Sequence, residues 1–471
     1  MCEERVFKKN DIVTVTVTDF GNDGEGIGKA DGYTLFIKDA VIGDTVSARI
    51  MKVKKGYAYA RLLEVVTPSP HRTDPPCLVA RPCGGCQLQS VTYEEQLHFK
   101  RRKVENALRR IGGFSEEKLR AVMQDTEPSP RTLRYRNKMI VPVGTGKDGA
   151  PVAGFYAGRT HDIIPCEDCL LGQPENGAIL KEILGFMREK GISAYDEESG
   201  EGLIRHVFLR RSRESGENML CLITNGDAAE YARELQARLG PGAHPEWKIT
   251  GAGYSVNRER TNVVFGGPVR PLWGKAALED ALHSEKYDIH MRYRISPMSF
   301  YQVNPYIAEK MYEKVLDLAE LTGTETVFDL YCGIGTISLF LASGAREVIG
   351  VEIVPDAVKN AAENAALNGL SNARFLEGKA EEVVPALMKR ENLRADVVVV
   401  DPPRKGCDET LLDTITGIAP EKLIYVSCDP ATLARDLKRL TGCGYDLTFV
   451  KPYDQFAMTG HVETVCLLAN P

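Results

Sequence analysis

The 471-residue sequence contains no uninterrupted apolar run long enough to cross a bilayer, which argues against a helical membrane span. Its opening residues, MCEERVFKKN, are charged at once and carry no apolar core, so no secretory leader is expected and a cytoplasmic location is. Internal repeats, low-complexity tracts and long blocks of one charge are missing as well, which removes repeat architectures and biased tails from consideration. A net charge of −6 lacks the positive excess of a protein coated with nucleic acid over its whole surface.

What is present describes a soluble globular chain: 43% hydrophobic and 26% charged residues, at a length that implies two or three domains. Twelve cysteines in a reducing compartment point to metal binding or catalysis before disulfides. Charge is uneven. Residues 1–150 carry 25 Lys and Arg against 19 Asp and Glu, a balance of +6 that leaves −12 for the remainder. A basic front and an acidic rear suit a polyanion met by one end, or are an imbalance of solvated faces.

Residues 8–67 read as short strands: Ile12 to Thr18, Tyr33 to Ile37 after a glycine-rich turn, then Val46 to Val53 and Tyr57 to Val66 around Lys54-Lys55-Gly56. Short, evenly spaced strands with Gly turns predict a small barrel. The pattern Asp23-Gly24-Glu25-Gly26-Ile27-Gly28-Lys29, followed by Phe36-Ile37 and Val41-Ile42-Gly43-Asp44, resembles the TRAM domain, an OB-like RNA-binding barrel of RNA-modifying enzymes. Lys52, Lys54, Lys55, Tyr57 and Tyr59 offer the cations and rings such a surface needs, or form an ordinary solvated hairpin.

Thr67-Pro68-Ser69-Pro70 and Asp74-Pro75-Pro76 read as a linker, and a second domain begins there. Tyr93 to Arg110 has helical period and a cationic stripe of Lys100, Arg101, Arg102, Lys103, Arg109 and Arg110; Arg131, Arg134, Arg136 and Lys138 sit in a strand-like stretch. Either set suits phosphates or a solvated face. Within 150–290, Val207 to Arg211 and Met219 to Thr224 read as adjacent strands and Asp227 to Leu239 as a helix. From 291 onward strand and helix alternate, which predicts a parallel sheet covered on both faces.

Cys77, Cys83 and Cys86, with Gly84-Gly85 between the last two, make a thiolate set for a metal, and Cys166 and Cys169 lie downstream as candidates for a fourth ligand. Spacing alone does not separate zinc from iron and sulfur. Pro82-Cys83-Gly84-Gly85-Cys86-Gln87-Leu88-Gln89 resembles the [4Fe-4S] site of RNA uridine-5-methyltransferases. That resemblance implies Cys77, Cys83, Cys86 and Cys166 as ligands and Cys169 as an extra thiol; four protein ligands leave no vacant iron, which predicts a structural role for the cluster.

In the last third, the strand Thr326 to Leu330 runs into Tyr331-Cys332-Gly333-Ile334-Gly335-Thr336 and a helix, and the next strand ends on Glu352, placed for two ribose hydroxyls. This is a nucleotide-type site without the full dinucleotide fingerprint, and it resembles the S-adenosylmethionine (SAM) motif of class I methyltransferases. Asp396 to Val400 leads into Asp401-Pro402-Pro403-Arg404, where the prolines turn the chain out of the sheet and present Asp401 and Arg404. Arg404 stands where enzymes acting on exocyclic amines carry an aromatic residue, which favours a carbon target.

Ser427-Cys428-Asp429-Pro430 then sets a cysteine at a strand end, and Gly460-His461-Val462-Glu463 places a carboxylate before another strand. Methylating carbon 5 of uracil needs a thiolate at carbon 6 and a base for the carbon 5 proton, which assigns Cys428 as nucleophile and Glu463 as base. His461 is expected as a packed histidine, and Asp429 is expected to oppose ionisation of Cys428.

These motifs, with Ser296 to Pro305, are similar across the chain to the RNA 5-methyluridine methyltransferases. The resemblance implies an α/β multidomain fold: an OB-like TRAM β-barrel (1–67), a central α+β iron-sulfur domain (68–290, whose helix 93–124 packs on the catalytic domain), and a Rossmann-like class I methyltransferase domain (291–471). It implies Gln302, Tyr331, Gly333, Gly335, Thr336, Glu352 and Asp401 around SAM, and Phe300, Gln302, Asp401 and Arg404 around uracil. Gly378-Lys379-Ala380-Glu381 departs from the usual adenine-contacting Asp or Asn. The expected partner is 23S ribosomal RNA, met by a monomer, with neither DNA nor membrane; the alternatives are the tRNA T-loop and an inactive RNA-binding iron-sulfur protein.

Overall fold

The computed structural model describes residues 7–158 and 160–470. Strands β1 (Ile12–Phe20), β2 (Gly26–Ala30), β3 (Tyr33–Lys38), β4 (Thr45–Val53) and β5 (Tyr57–Thr67) close a barrel in the order β1-β2-β3-β5-β4. Period-2 alternation turns Leu35, Ile37, Val46, Ala48, Ile50 and Ala58 fully inward. The glycine-rich segment read as a turn holds β2. Gly26 and Gly28 are required because a Cβ there would lie 2.8 Å from the carbonyls of Ala40 and Thr16 respectively. The proline-rich linker is pinned to the barrel: the buried Asp44 carboxylate accepts from Ser69 N–H (2.9 Å) and pairs with Arg72 (2.6 Å).

Helix α1 (Tyr93–Ala107) passes into a π-helical turn (Leu108–Gly112), ends at Gly113 with φ 75°, and is followed by α2 (Glu116–Val122), so the single helix expected over 93–124 is broken. These pieces do pack on the C-terminal unit: Val104, Leu108, Leu119 and Val122 share its core. The cationic stripe is largely turned inward or paired. Lys100 is fully buried against Asp454, and Arg101 and Arg102 pair with Glu105 and Glu95. Residues 131–137 are irregular, and the strand starts only at Lys138.

The middle of the chain supplies β6 (Lys138–Thr145), β7 (Pro151–Tyr156), β8 (Ile163–Pro165), α3 (Glu175–Lys190), β9 (Ile204–Arg211), β10 (Asn218–Thr224), α4 (Ala232–Leu239), β11 (Ile249–Val256) and β12 (Arg270–Gly274). Its sheet runs β12-β11-β10-β9-β6-β7-β8. β9 and β10 are antiparallel neighbours, as their sequences suggest, and α3 buries Ile179, Ile183 and Met187 against this sheet.

The hairpin β13 (Leu278–Ser284) and β14 (Ile289–Ile295) packs with the C-terminal unit: Leu282, Met291, Tyr293 and Ile295 share a core with α5 (Pro305–Ala319). A boundary at 290/291 cuts this hairpin, and packing moves the start of that unit ahead of β13. The remaining elements are β15 (Thr326–Leu330), α6 (Thr336–Ala342), β16 (Glu347–Glu352), α7 (Pro355–Leu367), β17 (Ala373–Glu377), α8 (Ala380–Glu391), β18 (Val397–Val400), α9 (Glu409–Ile418), β19 (Lys422–Ser427), α10 (Pro430–Gly442), β20 (Asp446–Tyr453) and β21 (Glu463–Ala469).

Their sheet has the order β17-β16-β15-β18-β19-β21-β20. β15 to β19 are mutually parallel, but β21 is antiparallel to both β19 and β20, so the sheet is mixed where a parallel one was expected. The four valines of β18 are all buried, the signature of a strand covered on both faces.

Candidate active site

The antiparallel insertion of β21 brings its amino end to the sheet edge where the parallel strands have their carboxyl ends. The last paired residues of β19 and β21 are Ser427 and Thr464, so the next step of the register sets Cys428 beside Glu463. A cleft of about 720 Å³ opens there. Its walls carry Phe300, Gln302, Tyr331, Gly333, Thr336, Glu352, Asp401, Arg404, Cys428 and Glu463.

Gly335 is the one expected member that is not on the wall. With φ 83° it caps α6, and a Cβ there would meet Phe375 at 3.1 Å, so its role is backbone geometry. Tyr331, also at positive φ (68°), and Gly333 shape the turn after β15. Glu352 accepts Gly333 N–H (3.1 Å) on one carboxylate oxygen and Val354 N–H (2.9 Å) on the other, which fixes the carboxylate while leaving lone pairs toward the cleft. Gln302 accepts from buried Gln455 Nε2 (2.9 Å), and Phe300 exposes 63% of its surface at the rim.

The electrostatics favour a cationic ligand. Burial pushes the carboxyls of Asp401 and Asp329 up to about 7, and holds that of Glu463 well above its usual range with Asp401 as second cause. Burial, then Glu463 and Asp401, push the Cys428 thiol up to about 12, while Arg404 pulls it down. Asp429 is not among these causes: its carboxylate accepts Ala431 and Thr432 N–H (2.9 and 3.0 Å) as the N-cap of α10. A sulfonium entering this cleft meets carboxylates whose ionisation it favours, and the residues present fit SAM.

Asp329 belongs to the site although its sequence context marks it only as part of β15. It lines the cleft, accepts from Ser338 Oγ, and has its second oxygen buried without a hydrogen bond. His461, expected to be packed, is instead exposed and lines both the cleft and a second cavity of about 410 Å³. Desolvation by the surrounding walls and the cations Arg404, Lys103, Lys100 and Arg136 hold its imidazole down to about 4. The second cavity includes Phe36, Lys38 and Tyr59 of the barrel together with Lys103, so barrel and cleft meet at His461. Gly378, Lys379, Ala380 and Glu381 also line the cleft, and the segment lacking the usual Asp or Asn is therefore a wall of it.

The loop between β20 and Glu463 is gripped by the segment that succeeds the cysteines. Gln87 and Leu88 N–H donate to Met458 O (3.2 and 3.0 Å), Lys100 Nζ to Phe456 O (3.0 Å), Lys103 Nζ to Gly460 O (2.8 Å) and Tyr135 Oη to Ala457 O (3.1 Å). No local pattern announces these contacts.

Cys77, Cys83, Cys86, Cys166 and Cys169 all line one cavity of about 280 Å³. Arg136 and Lys138 lie on the same wall, and Cys83 Sγ accepts Gly85 N–H at 3.3 Å. Five thiols with two cationic side chains and a backbone donor beside them fit an anionic thiolate-bound cluster.

Known proteins divide along the same lines. The family described as tRNA (Uracil-5-)-methyltransferase matches residues 274–470, and the TRAM domain matches 7–63. The chain is 45% identical over 460 residues, 98% of its length and 97% of the relative's, to an uncharacterized RNA methyltransferase of Halalkalibacterium halodurans. It is 44% identical over 466 residues, 99% of each chain, to one of Listeria innocua. Among solved structures, the tRNA (uracil-54, C5)-methyltransferase of Pyrococcus abyssi in complex with S-adenosyl-L-homocysteine is similar at TM-score 0.75 and 27% identity, covering 97% of this chain and 99% of that one.

Proposed function

From the premise that the chain belongs to the RNA uracil-5-methyltransferase family, we propose that it methylates carbon 5 of a uridine in 23S ribosomal RNA, with Cys428 as nucleophile and Glu463 as base. The observation that carries this reading is the register of β19 and β21, which sets a thiol and a carboxyl side by side over a cleft that also holds Asp401 and Arg404.

Cys428, as the thiolate, adds its sulfur to carbon 6 of the ring, and the displaced π electrons pass onto the carbon 4 oxygen as an enolate that makes carbon 5 nucleophilic. SAM, when bound, supplies a methyl group from a sulfonium. Glu463 then takes the proton from carbon 5, the electron pair returns to form the 5,6 double bond, and the Cys428 sulfur leaves as thiolate. Arg404 stabilises the anionic sulfur, and Asp401, on the wall of the same cleft, meets the sulfonium of SAM. Glu352 holds the ribose, Phe300 and Gln302 line the pocket for the flat base, and Gln302, Tyr331, Gly333 and Thr336 line the SAM side. The target uridine leaves its stack to reach Cys428, and Phe36, Tyr59, Lys38 and Lys103 take the flanking nucleotides.

The five-thiol cavity holds a [4Fe-4S] cluster on Cys77, Cys83, Cys86 and Cys166, with Cys169 as a neighbouring thiol. Its role is structural, because four protein ligands leave no open iron.

A second reading, a tRNA uridine as target, is favoured by the likeness over nearly the whole chain to the Pyrococcus abyssi tRNA enzyme. That likeness also means that the domain arrangement does not by itself separate the two substrates. Release of tritium from carbon 5-labelled 23S ribosomal RNA and tRNA transcripts, with SAM present, decides between them. Release from tRNA alone would replace the ribosomal assignment, and release from neither would remove the enzymatic one.

A further inference from the structure

Away from the cleft, three potential metal ligands converge where the central sheet meets the hairpin β13–β14. His283 and His290 form a cross-strand pair whose rings meet edge to face at 4.4 Å. Glu214, from the loop between β9 and β10, brings Oε2 to 3.1 Å from His283 Nε2. Ligand atoms of all three lie within 4.8 Å of one another.

Two further layers of contact hold this arrangement. Buried Asp280 accepts Glu214 N–H (3.0 Å) and Ser212 Oγ–H (3.2 Å), which locks the loop onto β13. Glu309 accepts His283 N–H (2.8 Å) and is paired with Arg213, whose guanidinium also donates to Ala281 O (3.2 Å). The backbone positions of Glu214 and His283 are thus set from both sides, and exposed His290, opposite His283 on the neighbouring strand, brings a ring nitrogen within 4.8 Å of both.

We propose that Glu214, His283 and His290 form a site for a divalent transition metal of the zinc class, which staples the central sheet to the catalytic unit. Bond lengths of 2.0–2.1 Å in a tetrahedron place neighbouring ligand atoms about 3.3 Å apart, close to the separation already present between Glu214 and His283. Two imidazoles and one carboxylate favour zinc, nickel or copper over magnesium or calcium, which take oxygen donors. Water fills the fourth position. The site uses no residue of the reaction, so it stands or falls apart from the proposed activity.

The test is a cobalt(II) titration of the full chain purified anaerobically, alongside H283N, H290N and E214Q. One equivalent giving visible d–d bands without near-ultraviolet thiolate charge transfer is expected, weakened about tenfold or more in each variant. Zinc should raise the melting temperature of the wild type and leave that of H290N, an exposed and foldable substitution, unchanged. Binding that persists in the H283N/H290N double variant, or bands of thiolate type only, overturns the site.

Discussion

The ammonium of Lys100 on α1 and the carboxylate of Asp454 in the loop before β21 meet with both side chains fully excluded from solvent. Tyr93 Oη donates to the other oxygen of Asp454 (2.7 Å), so the pair is closed by a third group. Removing one partner of such a pair leaves a buried charge and costs about 3–5 kcal/mol. K100M should therefore lower the denaturant midpoint strongly, and D454N added to it should restore part of the loss. Equal stability of K100M and wild type in denaturant melts would contradict the pairing.

C428A should abolish methyl transfer and the covalent adduct with 5-fluorouridine RNA. E463Q should form the adduct yet release it slowly, because addition precedes the proton removal proposed for Glu463. Gel shift under denaturing conditions separates the two outcomes; normal turnover by either variant refutes its role.

Asp401, raised to about 7 by burial, is neutral below that pH and anionic above it. The sulfonium of SAM is attracted only by the anion, so SAM affinity should rise as pH increases from about 6 to 8, by up to about tenfold across the titration. S-adenosylhomocysteine, which has no sulfonium, should change less. D401N should flatten the SAM profile in calorimetric titrations; an unchanged slope in D401N would transfer the effect to Asp329, its neighbour with a similarly raised carboxyl.

Arg404 is the cation acting on the Cys428 thiol, and it favours the thiolate. R404Q should move the pH midpoint of adduct formation upward, with R404K closer to wild type. The shift is read from the rate of adduct formation against pH.

Cys83→Ser and Cys86→Ser should strip iron and sulfide from anaerobically purified protein. Cys166→Ala should do so as well, and Cys169→Ala should retain both; the reverse result would exchange the fourth ligand between the two thiols. Because Gln87 and Leu88 directly succeed Cys86 and hold Met458 O, iron loss should also loosen the loop to Glu463, measurable as faster amide exchange at 456–460.

Most of the cleft is legible in the sequence because its groups sit at strand ends with local marks: glycines after β15, Glu352 at the end of β16, two prolines after Asp401, and a proline just after Cys428. Contacts between distant segments leave no such mark. The charge pattern of α1 is the same whether Lys100 faces solvent or Asp454, 354 positions away in sequence. β2 reads as a turn because its glycines answer to neighbouring backbones, whereas the break between α1 and α2 carries local marks, Gly113 at positive φ and Ser115 as N-cap, that helical periodicity alone passes over. His461 reads as packed because flanking apolar residues do not reveal that two cavities meet there.

β21 is made after β19 and β20 yet lies between them. β19 and β20 are therefore joined within the sheet only through it, since each pairs with β21. Until that wedge is seated, Cys428 has no Glu463 beside it, and the thiol and the carboxyl of the proposed mechanism stay apart. A strand made after both of its neighbours is thus the one that completes the cleft.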